Sequence, residues 1–319
     1  MDTGKTRTIA ARIARDLTTT GPVDAMIHRL PASDLQSLLM HVMRERSAMR
    51  SPVDLVRQYE QTNIFGLSSV DVRSLLLVEA TALECATGFE PVELSPVAPL
   101  GVNTVLGQID QNNCLATIRG AEVLADPTTL QALEVARRRR AGATGTIRLC
   151  SRSRQLRLQP TDVPWFTPHF GIFSLVTAGR DTGSRAFEAE QITDHVAVLL
   201  RLLTRLNSRG FQVRDIDVAI SDTKANETLL ATVRETTLVQ LAAAFPDVQF
   251  RIDPDRTQGI NYYDGLCLRI DAVDTAGTHL NLADGGGTNW TQRLLSNAKE
   301  RMIVSGIGTE LIAKRFASS

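Results

Sequence analysis

Residues 259–265 read Gly259-Ile260-Asn261-Tyr262-Tyr263-Asp264-Gly265. Two adjacent tyrosines, in a chain that holds only three, are a concentrated signal. Asp264-Gly265 is a turn pair, and residues 266–271 behind it read as a strand. The segment has two readings: a polar-aromatic pocket at the mouth of a strand, or a β-turn with one buried tyrosine. Downstream, Gly285-Gly286-Gly287 follows a strand-like stretch and precedes Thr288, Asn289 and Trp290. Consecutive glycines either form a loop or let backbone approach a ligand closely.

Working outward, apolar periodicity predicts further strands at 92–97, 114–118, 146–149, 170–177, 217–221 and 248–252. Helices are predicted at 70–86, 128–139, 186–209 and 227–244, with a final helix over 301–316. Ser68 or Ser69 is placed to cap the first of these and Gly88 to end it; Gly210 ends the long one. Before them, Ser33 and Asp34 precede the stripe Leu35, Leu38, Leu39, Val42 and Met43, Pro52 breaks it, and a short helix covers 53–59. Residues 1–66 are therefore expected to form a helical N-terminal appendage, and 67–319 the main domain. Few strands are separated by regular crossover helices. The expected fold is α+β, a mostly antiparallel sheet flanked by helices.

Composition narrows the function. The 319 residues carry 35 Lys+Arg and 35 Asp+Glu, so a general nucleic-acid binder is not expected. No window of about 18 apolar residues occurs, so no membrane span is predicted. The stretch from Met1 to Arg15 is basic without an apolar run behind it, so it does not read as a secretory signal. Cys85, Cys114, Cys150 and Cys267 are scattered, which fits reduced core thiols in a cytoplasmic protein. The five histidines lack metal-ligand spacing, and no metal site is predicted. Gly4-Lys5-Thr6 lacks the upstream glycine and strand of a phosphate loop. The run Arg137 to Arg140 sits where cations suit the end of a helix, and Asp181, Glu188 and Glu190 where acids suit the start of one. His169 has no nucleophile near it in sequence.

Singly weak, these signals gain force from their order. Gly88-Phe89-Glu90-Pro91-Val92-Glu93-Leu94-Ser95-Pro96 resembles the first motif of class II aminoacyl-tRNA synthetases. Asp126-Pro127-Thr128 resembles the first substrate loop of the histidyl branch. Arg157-Leu158-Gln159, a loop, then His169-Phe170 resembles the second class motif. Ala178-Gly179 and then Glu188-Ala189-Glu190 resemble the linker into the next helix. Gly259 to Gly265 is similar to the histidine-specific G-L-D-Y-Y-x-G motif, Gly285-Gly286-Gly287 to the glycine turn after it, and Gly306-Ile307-Gly308-Thr309-Glu310-Leu311 to the third class motif. The similarity covers about residues 70–319 and ends where the family's anticodon-binding domain would start.

The departures remove charge. The third motif's arginine is Leu311, with Arg315 one helical turn on; the arginine before the tyrosine motif is Gln258, with Arg256 two residues away and expected to point elsewhere. The acid of the second motif is Gln159, and the residues that hold a substrate ammonium align with Ile172 and Val176. Arg119, Arg154 and Arg157 remain as candidate anion holders. The resemblance thus implies a histidyl-tRNA synthetase paralogue that does not charge tRNA, comparable to the regulatory subunit of ATP phosphoribosyltransferase. It would be a homodimer working with a partner enzyme, binding a small polar or anionic metabolite. The expected site residues are Asp126, Thr128, Arg157, Gln159, His169, Glu190, Gln258, Asn261, Tyr262, Tyr263, Gly285, Gly286 and Arg315. The rival is a repurposed ligase that activates a carboxylate with ATP and Mg²⁺, using Arg157 and Arg315 on the phosphates. A structural dimer with a residual pocket is the third reading.

Overall fold

A strand that is buried along nearly its whole length must be covered on both faces, and His169–Arg180 is such a strand. The computed structural model describes residues 21–159, 163 and 166–318. The Gly4-Lys5-Thr6 stretch, the rest of the first 20 residues and most of the loop before His169 lie outside the described residues. The chain divides into two compact units, Met1–Leu67 with Ala116–Glu122, and Ser68–Leu115 with Val123–Ser319. In the first unit, Ala32–Ala48 (α1) and Pro52–Glu60 (α2) are the principal helices. Pro52 takes the first helical turn, where its missing N–H costs nothing, and Ser51 and Asp54 close a reciprocal cap.

The second unit begins with Val72–Cys85 (α3), capped by Asp71 rather than by Ser68 or Ser69. Then follow Glu90–Pro91 (β1), Pro127–Arg140 (α4), Ile147–Leu156 (β2), His169–Arg180 (β3), Ala186–Asn207 (α5) and Arg214–Asp222 (β4). Glu227–Val233 (α6) runs through a π-helical turn, Arg234–Leu238, into Val239–Ala244 (α7). The chain ends with Gln249–Ile252 (β5), Leu266–Val273 (β6), His279–Thr288 (β7), Trp290–Leu295 (α8), Glu300–Ile307 (β8) and Thr309–Arg315 (α9). One eight-stranded sheet results, in the order β1-β2-β3-β8-β7-β6-β4-β5. Only the outer pairs β1–β2 and β4–β5 are parallel; every inner pair is antiparallel. This is the α+β, largely antiparallel arrangement expected.

Alternation along the strands sorts the core into two layers. Ile303 and Ile307 face a layer with Phe173, Leu175 and the α5 residues Ile192, Val196, Leu199 and Leu203. Met302 and Val304 face the other, with Leu149, Val176, Trp290 and the α4 residues Ala132 and Val135.

Four sequence expectations are corrected. Residues 301–307 are strand, not the first half of a helix: β8 pairs on both sides, and that central position overrides local propensity. Gly285-Gly286-Gly287 lies inside β7, not in a turn. Residues 114–118 contribute only the bridge from Ala116 to Glu122, after a 3₁₀ turn at Gln111–Asn113. Residues 92–97 do not extend β1, since Pro91 and Pro96 lack donors for a ladder.

Candidate functional site

Asp126 ends the extended chain before α4 and caps that helix, its Oδ1 accepting from the Thr128 N–H at 2.9 Å and the Thr128 hydroxyl at 2.6 Å. Its other oxygen accepts from the Tyr262 hydroxyl at 2.7 Å. One carboxylate thereby joins the substrate-loop stretch to the tyrosine pair, 136 residues apart in sequence. Burial, then the Asp126 charge, pushes the Tyr262 phenol well above its ordinary value, so it serves as a fixed donor. Tyr263 packs edge-to-face on Tyr262, with ring centroids 4.8 Å apart. The glycines of β7 make room for it: a Cβ on Gly286 would stand 2.8 Å from both Tyr263 Cδ1 and Cys267 Cβ. That contact requires glycine at 286, whereas a Cβ at 285 would meet Ser305 and the Val304 carbonyl, and one at 287 the Asp264 carbonyl, so each position excludes a side chain for its own reason.

These groups line a cavity of about 410 Å³ on the side of the α4 N-terminus. It brings together five of the residues named from the sequence, Asp126, Thr128, Arg157, Tyr262 and Tyr263. Asp284 and Ser305 also line it and were not anticipated, although an acid directly before a glycine run was a usable signal. The remaining expected residues lie elsewhere. Arg315 turns to the fully buried Asp274, with Nε 2.8 Å and Nη2 2.5 Å from Oδ2. The Gln258 side chain accepts from Arg269 at 3.0 Å. Gln159 and Asn261 are exposed, as is Glu190 on α5. His169 opens β3 opposite Leu156. Gly285 and Gly286 support the cavity from within β7 without lining it.

The cations around the cavity are committed. Arg256, expected to point away, instead lies over the Tyr263 ring and donates to both oxygens of Asp284 at 2.8 and 3.0 Å. Burial still holds the Asp284 carboxyl above its ordinary value despite Arg256. Arg154 is bound through both Nη atoms to Glu310, at 2.5 and 2.6 Å. Arg157 donates to the Ala125 carbonyl at 2.8 Å, stands over Phe170 and faces Asp126 at 3.7 Å. The lining thus carries one guanidinium against two carboxylates. A triphosphate with its Mg²⁺ does not fit this donor set, because each available cation already faces an acid of the protein. Polar or amine-bearing groups fit it better.

The fold is that of the class II aminoacyl-tRNA synthetase catalytic domain. Among solved structures, the chain is similar to an ATP phosphoribosyltransferase regulatory subunit/histidyl-tRNA synthetase from Bacillus halodurans, at 13% identity and TM-score 0.57, over 76% of this chain and 79% of that one. It is also similar to histidyl-tRNA synthetase from S. aureus, at 14% identity and TM-score 0.58, over 77% and 67%. A histidine–tRNA ligase subunit from Alicyclobacillus acidocaldarius matches at 14% identity and TM-score 0.56, over 78% and 95%. No protein-family model matches the sequence, and no curated protein does. Among the described residues, no helix is long and apolar enough to cross a membrane.

Proposed function

We propose that this chain binds a small polar metabolite in the Asp126–Tyr262–Asp284 cavity, charges no tRNA, and acts by regulating a partner enzyme as a homodimer. One observation carries the reading: the guanidinium groups of Arg154 and Arg256 are held by Glu310 and Asp284, and Leu311 stands where the resemblance puts the third motif's arginine. An adenylating site must neutralise a transferring nucleotide with uncommitted cations. The similarity to the Bacillus halodurans regulatory subunit supports the partner-dependent part. The division into an N-terminal appendage over 1–66 and a main domain over 67–319 is part of the same proposal.

The test is ATP–pyrophosphate exchange with a panel of carboxylic acids and Mg²⁺, beside a thermal-shift screen of polar metabolites. The expected result is no exchange, with stabilisation by a metabolite that Tyr262→Phe or Asp126→Asn abolishes. Exchange above background with any carboxylate overturns the proposal and leaves the ligase reading.

A further inference from the structure

A second cavity, of about 340 Å³, opens beside the start of α5 and the facing ends of β7 and β8. It shares no lining residue with the first. Its volume lies at the small end of the range for ligand pockets, about 300–1,000 Å³. Three acids (Asp181, Glu188, Asp264) and three bases (Arg185, Lys224, Arg301) line it, so its formal charge is balanced.

The pairing of those charges is incomplete in a specific way. Arg301 donates to Asp181 at 2.7 Å and meets Glu188 Oε1 at 3.2 Å. Lys224 is paired with Asp264. Glu188 Oε2 is left with no hydrogen-bond partner, on a side chain only 7% exposed. Thr288 Oγ1, on a residue 5% exposed, also has none. Among the described residues, the Arg185 guanidinium makes no hydrogen bond or ion pair. It lies against Gly265, where a Cβ would come within 2.3 Å of Arg185 Nη1.

The backbone that presents Arg185 is itself costly. Ser184 and Arg185 both take left-handed conformations, φ 49° and 55°, although neither is glycine. Arg185 is the N-cap residue of α5 and provides no side-chain cap. Strain of this kind persists where surrounding structure imposes it, and it gathers at ligand sites. A buried carboxylate oxygen without a donor is likewise costly.

We propose that this cavity binds a free amino acid, with the ligand carboxylate on Arg185 and its ammonium between Glu188 Oε2 and Thr288 Oγ1. Among the described residues, one unpaired guanidinium and one carboxylate oxygen without a donor, in a charge-balanced cavity, match a zwitterion. A divalent cation does not fit, because Arg301 and Lys224 stand among the acids and, among the described residues, no group of three metal-ligating side chains is assembled. The site is independent of the function proposed for the first cavity.

The experiment is calorimetric titration of the full chain with each of the twenty free L-amino acids. Every hit is repeated with the acid lacking the amine and with the amine lacking the acid. The expected result is binding of at least one amino acid and of neither of its halves. Arg185→Ala should weaken that binding about ten- to hundredfold, the effect of losing a charge-assisted contact. Arg185→Lys should restore part of it, while Arg157→Ala and Tyr262→Phe in the first cavity leave it unchanged. Because Arg185 is only half-buried, its replacement spares the core; Thr288→Val serves as the second variant. The inference is overturned if no amino acid binds, if Arg185→Ala binds normally, or if the first-cavity variants abolish binding instead.

Discussion

His195 is fully buried in α5 and holds two strands together, with Nε2 2.9 Å from the Thr177 hydroxyl on β3 and Nδ1 2.9 Å from the Ser305 hydroxyl on β8. Burial first, and Arg148 second, lowers its pKa from 6.5 to about 3. The folded imidazole is therefore neutral where the unfolded one protonates. Unfolded chains then bind more protons between those two values, so stability falls as pH drops below about 6.5 and is unaffected above it. Integrating that difference from pH 7.5 to pH 5 gives a loss of about 2 kcal/mol from this residue alone. The perturbation is His195→Asn, which keeps one hydrogen bond and removes the titration. Urea unfolding of both proteins at the two pH values is the assay. The variant should be less stable at pH 7.5, yet lose about 2 kcal/mol less than the parent on acidification. Parallel pH profiles would refute the argument, since they would mean that the imidazole is protonated, or reached by water, in the fold.

Tyr262→Phe removes a donor from Asp126 and should lower stability by about 1.5–3 kcal/mol, the range for a hydrogen bond to a charged group, as read from denaturant midpoints. Gly286→Ala places a methyl group 2.8 Å from the Leu266 carbonyl as well as from Tyr263, and should cost about 1–3 kcal/mol through overpacking. A crystal structure of that variant should show the Tyr263 ring displaced; an unmoved ring with unchanged stability would contradict the packing argument.

The parts of the fold legible in sequence were those fixed by local pattern. The long helix α5 declares itself through apolar periodicity and Gly210, and β3 through a mostly apolar run of strand length. The failures came where a neighbour decides. Met302-Ile303-Val304 suits helix or strand equally, and only pairing with β3 and β7 settles it. The glycine run resembles a turn in one dimension; in three it is a strand stripped of side chains because Tyr263 lies against Gly286, Ser305 against Gly285 and the Asp264 carbonyl against Gly287. At the site, Asp126 and Thr128 were legible through the resemblance to the synthetase substrate loop and Tyr262 through the paired-tyrosine segment, while the capping role of Asp126 emerges only in three dimensions. Arg315 and Arg256 exchanged expected roles because each guanidinium goes to the carboxylate that the fold brings beside it. Asp274 and Asp284 come close only once β6 and β7 pair.

Glu310 shows what such pairing achieves for the fold. Its carboxylate is 2% exposed and collects Arg154, Lys314 at 2.7 Å, the Gly171 N–H at 3.2 Å and the Ser68 hydroxyl. These partners come from β2, α9, β3 and the entry to the unit, so one acid joins four segments. Burial alone would raise its pKa, but Lys314, Ser68 and Arg154 outweigh that and hold it below the usual carboxylate range. A lowered folded value adds stability that is complete above the ordinary glutamate pKa and is lost as pH falls through the folded one. His195 weakens the fold from about pH 6.5 downward, whereas Glu310 acts only below about 4.5. Glu310→Gln should cost about 3–5 kcal/mol at neutral pH, because two cations lose a buried partner. The same variant should flatten only the limb below pH 4.5 of the stability profile, leaving the His195 limb intact. If Glu310→Gln instead keeps full stability, the carboxylate is not the structural hub and its retention beside Leu311 needs a ligand to explain it.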